Sequence, residues 1–169
     1  MRGRRRNRGT EMMEFIARHA MGEKVSGTAL VANDGFSARY DLNRWTGLFS
    51  RPAHKLVGLS YVDRILILDT AKGGVASAWM LHEMKSRHMA PKAIVFNTVN
   101  TILAQGAALG GIALLAGFDV DVTAAIAHGS IVEVDPGARM LRVLKVGDGT
   151  VAAAQSGQRT EPVVRVQGR

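Results

Sequence analysis

Ile65-Leu66-Ile67-Leu68-Asp69-Thr70-Ala71-Lys72-Gly73-Gly74-Val75-Ala76-Ser77 is the stretch on which the fold turns. Its first four residues are a continuous apolar run, of the kind found in strands buried on both faces. A Gly-bearing loop spans Asp69 to Gly74. Val75–Arg87 then sets Ala76, Met80, Leu81 and Met84 at helical spacing, with Pro91 beyond the end. The pattern repeats downstream as strand Ala93–Phe96, helix Thr101–Ala108 stopped by Gly110-Gly111, strand Ile112–Leu115, and a short helix Val122–His128 closed by Gly129. Strand–helix units with connections this short predict a parallel sheet with right-handed crossovers.

The flanks read differently. Upstream, Thr10 is placed to cap a short helix with Glu11 and Glu14 in its first turn and Met12, Met13, Phe15 and Ile16 as apolar contacts, ended by Gly22. Gly27–Ala32 reads as a strand, Asn33-Asp34-Gly35 as a turn, Arg39–Leu42 as an alternating strand and Asn43–Gly47 as a second turn. Downstream, Ile131–Val134 and Met140–Val146 alternate around Asp135-Pro136-Gly137, a hairpin signal. The expected architecture is therefore α/β, a layered β/β/α domain whose parallel sheet is flanked by helices, with antiparallel segments at both ends. Residues 1–9 read as a disordered basic arm, 10–146 as a single domain, and 147–169, rich in Gly, Ala, Gln and Ser, as a flexible tail.

Composition narrows the function. The 169 residues are 47% hydrophobic and 21% charged, ordinary for a folded domain. The weakly polar run from Ile102 to Phe118 is broken by Gln105 and four glycines, so it is no membrane span. The basic start is followed by Glu11 and Glu14 rather than an apolar stretch, and a cytoplasmic protein is expected. Without cysteine the chain has no thiolate to hold zinc or an iron–sulfur cluster. The net charge of +8 comes mostly from the ends: residues 9–158 carry 14 basic and 13 acidic side chains. A nucleic-acid groove would need its charge on the folded body, which is nearly neutral here.

Of the chemistry-bearing residues, the Asp69–Ser77 loop is the most informative. It leaves the carboxyl end of a buried strand and opens a helix, the edge at which open α/β sheets bind ligands. Free N–H groups at a helix start favour an anion, and Lys72 adds a full charge. Gly73 and Gly74 allow a close approach to the backbone, or simply satisfy a strand-to-helix turn. The loop has neither the P-loop order nor Gly-x-Gly-x-x-Gly. Asn97 and Asn100 end the neighbouring strand; Asn97 is a candidate for a carboxylate or phosphate, and Asn100 reads as a cap. None of His19, His54, His82, His88 and His128 has metal-ligand spacing, and His128 before Gly129 reads as a cation at a helix C-terminus. Asp41, Asp119 and Asp121 read as turn and cap residues.

Gly27–Val31, the Asp41–Gly47 turn, His54, Gly58 and Ser60, Ile65–Leu68, Lys72-Gly73, Ala93–Val95, the Ile102–Ala107 helix and Gly129–Asp135 form an ordered set. From about Val25 to Val146 that set resembles the small, or swivel, domain of aconitase X, a family with bacterial cis-3-hydroxyproline dehydratases and archaeal phosphomevalonate dehydratases. The resemblance implies a swivel fold and a hydro-lyase that removes water from a small hydroxy acid. It also implies a large partner subunit whose cysteines hold an iron–sulfur cluster, so that no cofactor is expected in this chain and no activity from it alone. The swivel domain of the family closes over the cleft and supplies a serine as base and a basic residue for the substrate. Relatives read Gly-[Lys/Arg]-Gly-Ser; this chain reads Ala71-Lys72-Gly73-Gly74, with glycine at the serine's place and Ser77 three residues on as the candidate base. Asn43 likewise stands for a proline in the turn. Lys72, Gly73, Gly74 and Asn97 complete the expected substrate site. The alternatives are a phosphohistidine-type swivel domain, which would need a histidine at the Lys72–Ser77 loop, or a non-catalytic binding module using the arginine arm for nucleic acid.

Overall fold

The computed structural model describes residues 12–72 and 75–149. In chain order the elements are β1 (Met13–Ile16), β2 (His19–Met21), β3 (Val25–Phe36), α1 (Ala38–Asp41), β4 (Leu42–Asn43), β5 (Leu48–Phe49), β6 (Ile65–Ala71), α2 (Val75–Ser86), β7 (Ala93–Thr98), α3 (Thr101–Leu109), β8 (Ala113–Ala116), α4 (Val122–Ala125), β9 (Ile131–Asp135) and β10 (Met140–Lys145). Strands β3, β6, β7 and β8 are parallel neighbours, and β2 closes their far edge antiparallel to β8. On the other side of β3 lie β9, β10 and β1, all antiparallel.

The twelve-residue β3 joins the two halves. Val25–Thr28 pair with β9, and from Ala29 onward the strand pairs with β6. Alternation on the parallel strands then builds two cores. Leu66, Leu68, Ile94, Phe96 and Leu114 pack with Leu81 and Met84 of α2 and Ala107 of α3. Ile65, Ile67, Val95 and Leu115 pack with Val132, Val134, Leu141 and Val143 of the β9–β10 hairpin. Helices, parallel sheet and antiparallel ribbon are thus three layers, the β/β/α arrangement expected, and the apolar run Ile65–Leu68 is buried on both faces as read.

Several elements differ from the sequence expectation. Met13–Ile16 is an edge strand on β10 rather than a helix, because Met13 and Phe15 turn inward while Glu14 and Ile16 stay exposed, a period of two. Thr10 and Glu11, the basic arm and residues 150–169 lie outside the described residues. Asn33-Asp34-Gly35 does not reverse the chain; β3 runs through it with a register irregularity between Ala32 and Gly35. Arg39–Leu42 is one helical turn and the start of β4. Asp69–Ala71 belong to β6, so only Lys72, Gly73 and Gly74 link that strand to α2. Helix α2 buries Ser77, Leu81 and Met84, one residue round from the face expected, and leaves Ala76 exposed. Among the described residues no helix is long and apolar enough to cross a membrane.

His128 also differs. Helix α4 stops at Ala125, and His128 sits buried where β3 changes partners. Its Nδ1 accepts the Val31 N–H at 3.1 Å, supplying the acceptor that neither β6 nor β9 provides there. It is therefore held neutral rather than as a helix-end cation, and burial pushes its pKa below the ordinary 6.5. A histidine with a depressed folded-state pKa contributes stability that is complete above its unfolded value and is lost as pH falls below it. The melting temperature of the chain should therefore fall as pH drops below about 6.5, and His128→Asn should flatten that slope. A slope unchanged by the substitution would assign it to other groups.

Candidate functional site

The carboxyl ends of β3, β6 and β7 bring the candidate residues to one edge. Lys72 follows β6 directly, and its backbone N–H donates to the Phe36 carbonyl at 2.6 Å, tying it to the end of β3. Its exposed side chain lies along the backbone of Gly35; a Cβ there would come within 2.6 Å of Lys72 Cε and 3.0 Å of Nζ. Among the described residues no carboxylate pairs with it. The ammonium group thus has no ion-pair partner among the described residues and stands just before the N-terminal turn of α2, where the helix dipole adds a positive field. Gly73 and Gly74 lie outside the described residues.

Beside Lys72, Asp41, Arg51 and Asp34 are tied to one another. Asp41, buried at the end of α1, accepts the Ser37 N–H at 2.8 Å with one oxygen and the Arg51 Nε–H with the other. Arg51 Nη2 lies 3.6 Å from Asp34, and the bond to Asp41 pushes the guanidinium pKa above its usual range. Asp34 also accepts the Gly35 and Lys55 N–H groups at 2.8 and 3.1 Å. Burial pushes its carboxyl pKa up, but the Lys55 N–H, His54, the Gly35 N–H and Arg51 together outweigh it and hold the pKa below the ordinary value. His54, stacked on Phe49 with centroids 4.7 Å apart, donates from Nε2 to the Gly35 carbonyl and accepts the Leu56 N–H at Nδ1. The network fixes the end of β3 under Lys72. Sequence reading missed it: Asp34 and Asp41 looked like turn residues, and nothing local pointed to Arg51.

Ser77, the candidate base, is covered in this chain. It is 1% exposed, on the inner face of α2's first turn. Its Oγ is 3.2 Å from the Oγ of Ser37, itself buried. A base must reach the proton that it removes, and this hydroxyl is covered; it ties α2 to α1. Asn97 is also committed. Its Nδ2 donates to Asp69 at 3.0 Å and Asp121 at 2.7 Å, and its Oδ1 accepts the Val122 N–H. Both amide hydrogens being used, Asn97 anchors the start of α4. Asp121 caps that helix through Thr123, as read, and the Thr123 hydroxyl and the Asn97 amide lower its carboxyl pKa. Asn100 offers its carbonyl to the Ala104 N–H, the backbone bond of a helix start. Among the described residues no three His, Asp or Glu side chains converge on a possible metal position.

Comparison with known proteins gives the fold a relative at each level. Residues 14–143 match the family profile described as the aconitase X swivel domain. The phosphomevalonate dehydratase small subunit of Thermococcus sibiricus is 33% identical over 123 residues, which are 73% of this chain and 92% of that protein. The protein of the same name from Methanopyrus kandleri is 30% identical over 70% of this chain and 87% of its own length. The crystal structure of Thermococcus kodakaraensis aconitase X in its holo-form superposes with a TM-score of 0.73 at 26% identity, covering 79% of this chain and 99% of that one.

Proposed function

Because the chain belongs to the aconitase X swivel-domain family, we propose that it is the small subunit of a cytoplasmic hydro-lyase. That enzyme dehydrates a small hydroxy acid held between this chain and a large subunit. The name of the curated relatives points to phosphomevalonate as the acid. The observation that carries the reading is Lys72, a cation with no carboxylate partner among the described residues, at the carboxyl edge of the parallel sheet and beside a helix N-terminus. A carboxylate or phosphate of the substrate is the natural counter-ion for such a position.

An iron–sulfur cluster, which the family implies, does not fit this chain, which has no cysteine and no converging ligands among the described residues. It is assigned to the large subunit. The part played by this chain is to bind and orient. Lys72 neutralises an acidic group of the substrate. The Ser37–Asp41–Arg51–Asp34 network holds the edge rigid. With Ser77 covered and glycine at position 74, the proton-transfer group is assigned to the large subunit. No histidine stands at the Lys72–Ser77 loop, which counts against a phosphohistidine role; His82 lies on the exposed side of α2, edge-on to Trp79.

The purified chain alone should show no iron–sulfur absorption band and no dehydration of phosphomevalonate or other hydroxy acids. Turnover should appear when the large subunit is added. Turnover or bound cluster in the isolated chain, or none in the reconstituted pair, would overturn the reading.

A further inference from the structure

Both tryptophans of the chain are wasted on the isolated molecule. Trp45 is 65% exposed, Trp79 66% and Tyr40 66%. Tyr40 is on α1, Trp45 in the β4–β5 turn and Trp79 on α2; Trp45 lines a groove of about 450 Å³ together with Arg39, Ala76 and Met80. Large aromatic groups on a surface mark a contact site when they cluster, and Trp, Tyr and Arg are the residues that most often anchor interfaces.

The site is also preorganised. The Arg87 guanidinium lies 4.4 Å from the Trp45 ring centroid and the Arg44 guanidinium 5.1 Å. Both are fixed by Glu83, at 2.8 and 2.7 Å. The indole is thus held in one place before any partner arrives, which lowers the entropy lost on docking. Arg39 and Arg44 line the groove and Arg87 lies over the Trp45 ring, three guanidiniums against the Glu83 carboxylate that Arg44 and Arg87 share. A second copy meeting this face through a two-fold axis would set guanidinium against guanidinium. A partner presenting carboxylates is favoured instead. The groove lies close in sequence to the candidate site, since Ala76 on its wall is in the first turn of α2, four residues after Lys72.

We infer that the Tyr40–Trp45–Trp79 face is the surface on which the large subunit docks, with a carboxylate-bearing segment in the groove, so that docking also closes the Lys72 edge. The inference rests on the hydro-lyase reading above, and the test separates the two. Affinity of the full chain for the aconitase X-type large subunit of the same organism is measured by calorimetry for wild type, Trp45→Ala/Trp79→Ala and Arg39→Glu. The double variant should bind on the order of 100-fold more weakly, as loss of two interface anchors does. Arg39→Glu, which removes only a contact with the Tyr40 ring from the fold, should bind about 10-fold more weakly, with a smaller salt dependence. Melting curves of the isolated variants show whether they are folded, and Arg39→Glu keeps the test decisive if the double variant is not. Wild-type affinity in the folded variants overturns the docking face alone, as does self-association of the wild type that the variants lose. No binding by the wild type overturns both readings.

Discussion

Lys72→Ala in the assembled enzyme is expected to lower kcat/KM by about 2–4 kcal/mol, the usual cost of losing one preorganised charged donor. Its neighbours leave little to replace it. Arg51 is saturated by Asp41 and Asp34, and Lys55 Nζ donates to the Asn33 carbonyl at 2.8 Å. Stability should hardly change, because the ammonium is exposed and the bond that fixes Lys72 to β3 comes from its backbone. Thermal melts of the two proteins should therefore overlay while their activities differ by roughly 30- to 1000-fold. Ser77→Ala is the companion. It should cost about 1 kcal/mol of stability, the worth of one hydrogen bond, and keep most of the turnover. A loss of about 100-fold or more at unchanged stability would show that the hydroxyl does reach the substrate. Wild-type activity in Lys72→Ala would remove the loop from the site altogether.

Gly106→Ala should destabilise the fold by about 1–3 kcal/mol, although helix propensity alone favours alanine by about 1 kcal/mol. The two effects oppose each other, and geometry decides the sign. Helix α3 crosses α2 at Gly106, where an added Cβ would lie 2.4 Å from the Cα of Ala78. The obstacle is backbone, so no rotamer change can relieve it; the helices must separate. Urea denaturation should show a lower midpoint with an unchanged slope. Because Ala78 follows Ser77 in the first turn of α2, the displacement should reach the Lys72 edge and lower activity as well. A raised midpoint would mean that the crossing yields freely.

The parallel half of the fold was legible because buried strands announce themselves. Ile65–Leu68, Ala93–Phe96 and Ile112–Leu115 have no polar residue, are short and are bounded by glycine or polar turns, as strands covered on both faces are. The orientation of α2 was not legible. Val75, Ala76, Trp79, Met80, Leu81 and Met84 are apolar on nearly every side, and the exposed Val75 and Trp79 are indistinguishable in sequence from core. A surface reserved for a partner blurs the signal of burial in this way. The first strand was missed because its reason is remote: Met13 and Phe15 become a strand by pairing with Val143 and Leu141. At the site, Lys72 could be placed from its local context alone. The Asp34–Asp41–Arg51 network could not, since its members meet only after α1 and the β4–β5 turn fold the chain back on itself.

The joining of the two halves through β3 has a consequence for how the molecule is made. The parallel units can assemble as they leave the ribosome, but the face of Ile65, Ile67, Val95 and Leu115 stays uncovered until the β9–β10 hairpin emerges. The pairing of β1 with β10 brings Glu14 to Arg142, 128 positions apart. Closing so long a loop is slow compared with local pairing. The nascent chain therefore carries an open apolar flank from the emergence of β6 until the β9–β10 hairpin arrives, and that hairpin is the latch that completes the domain.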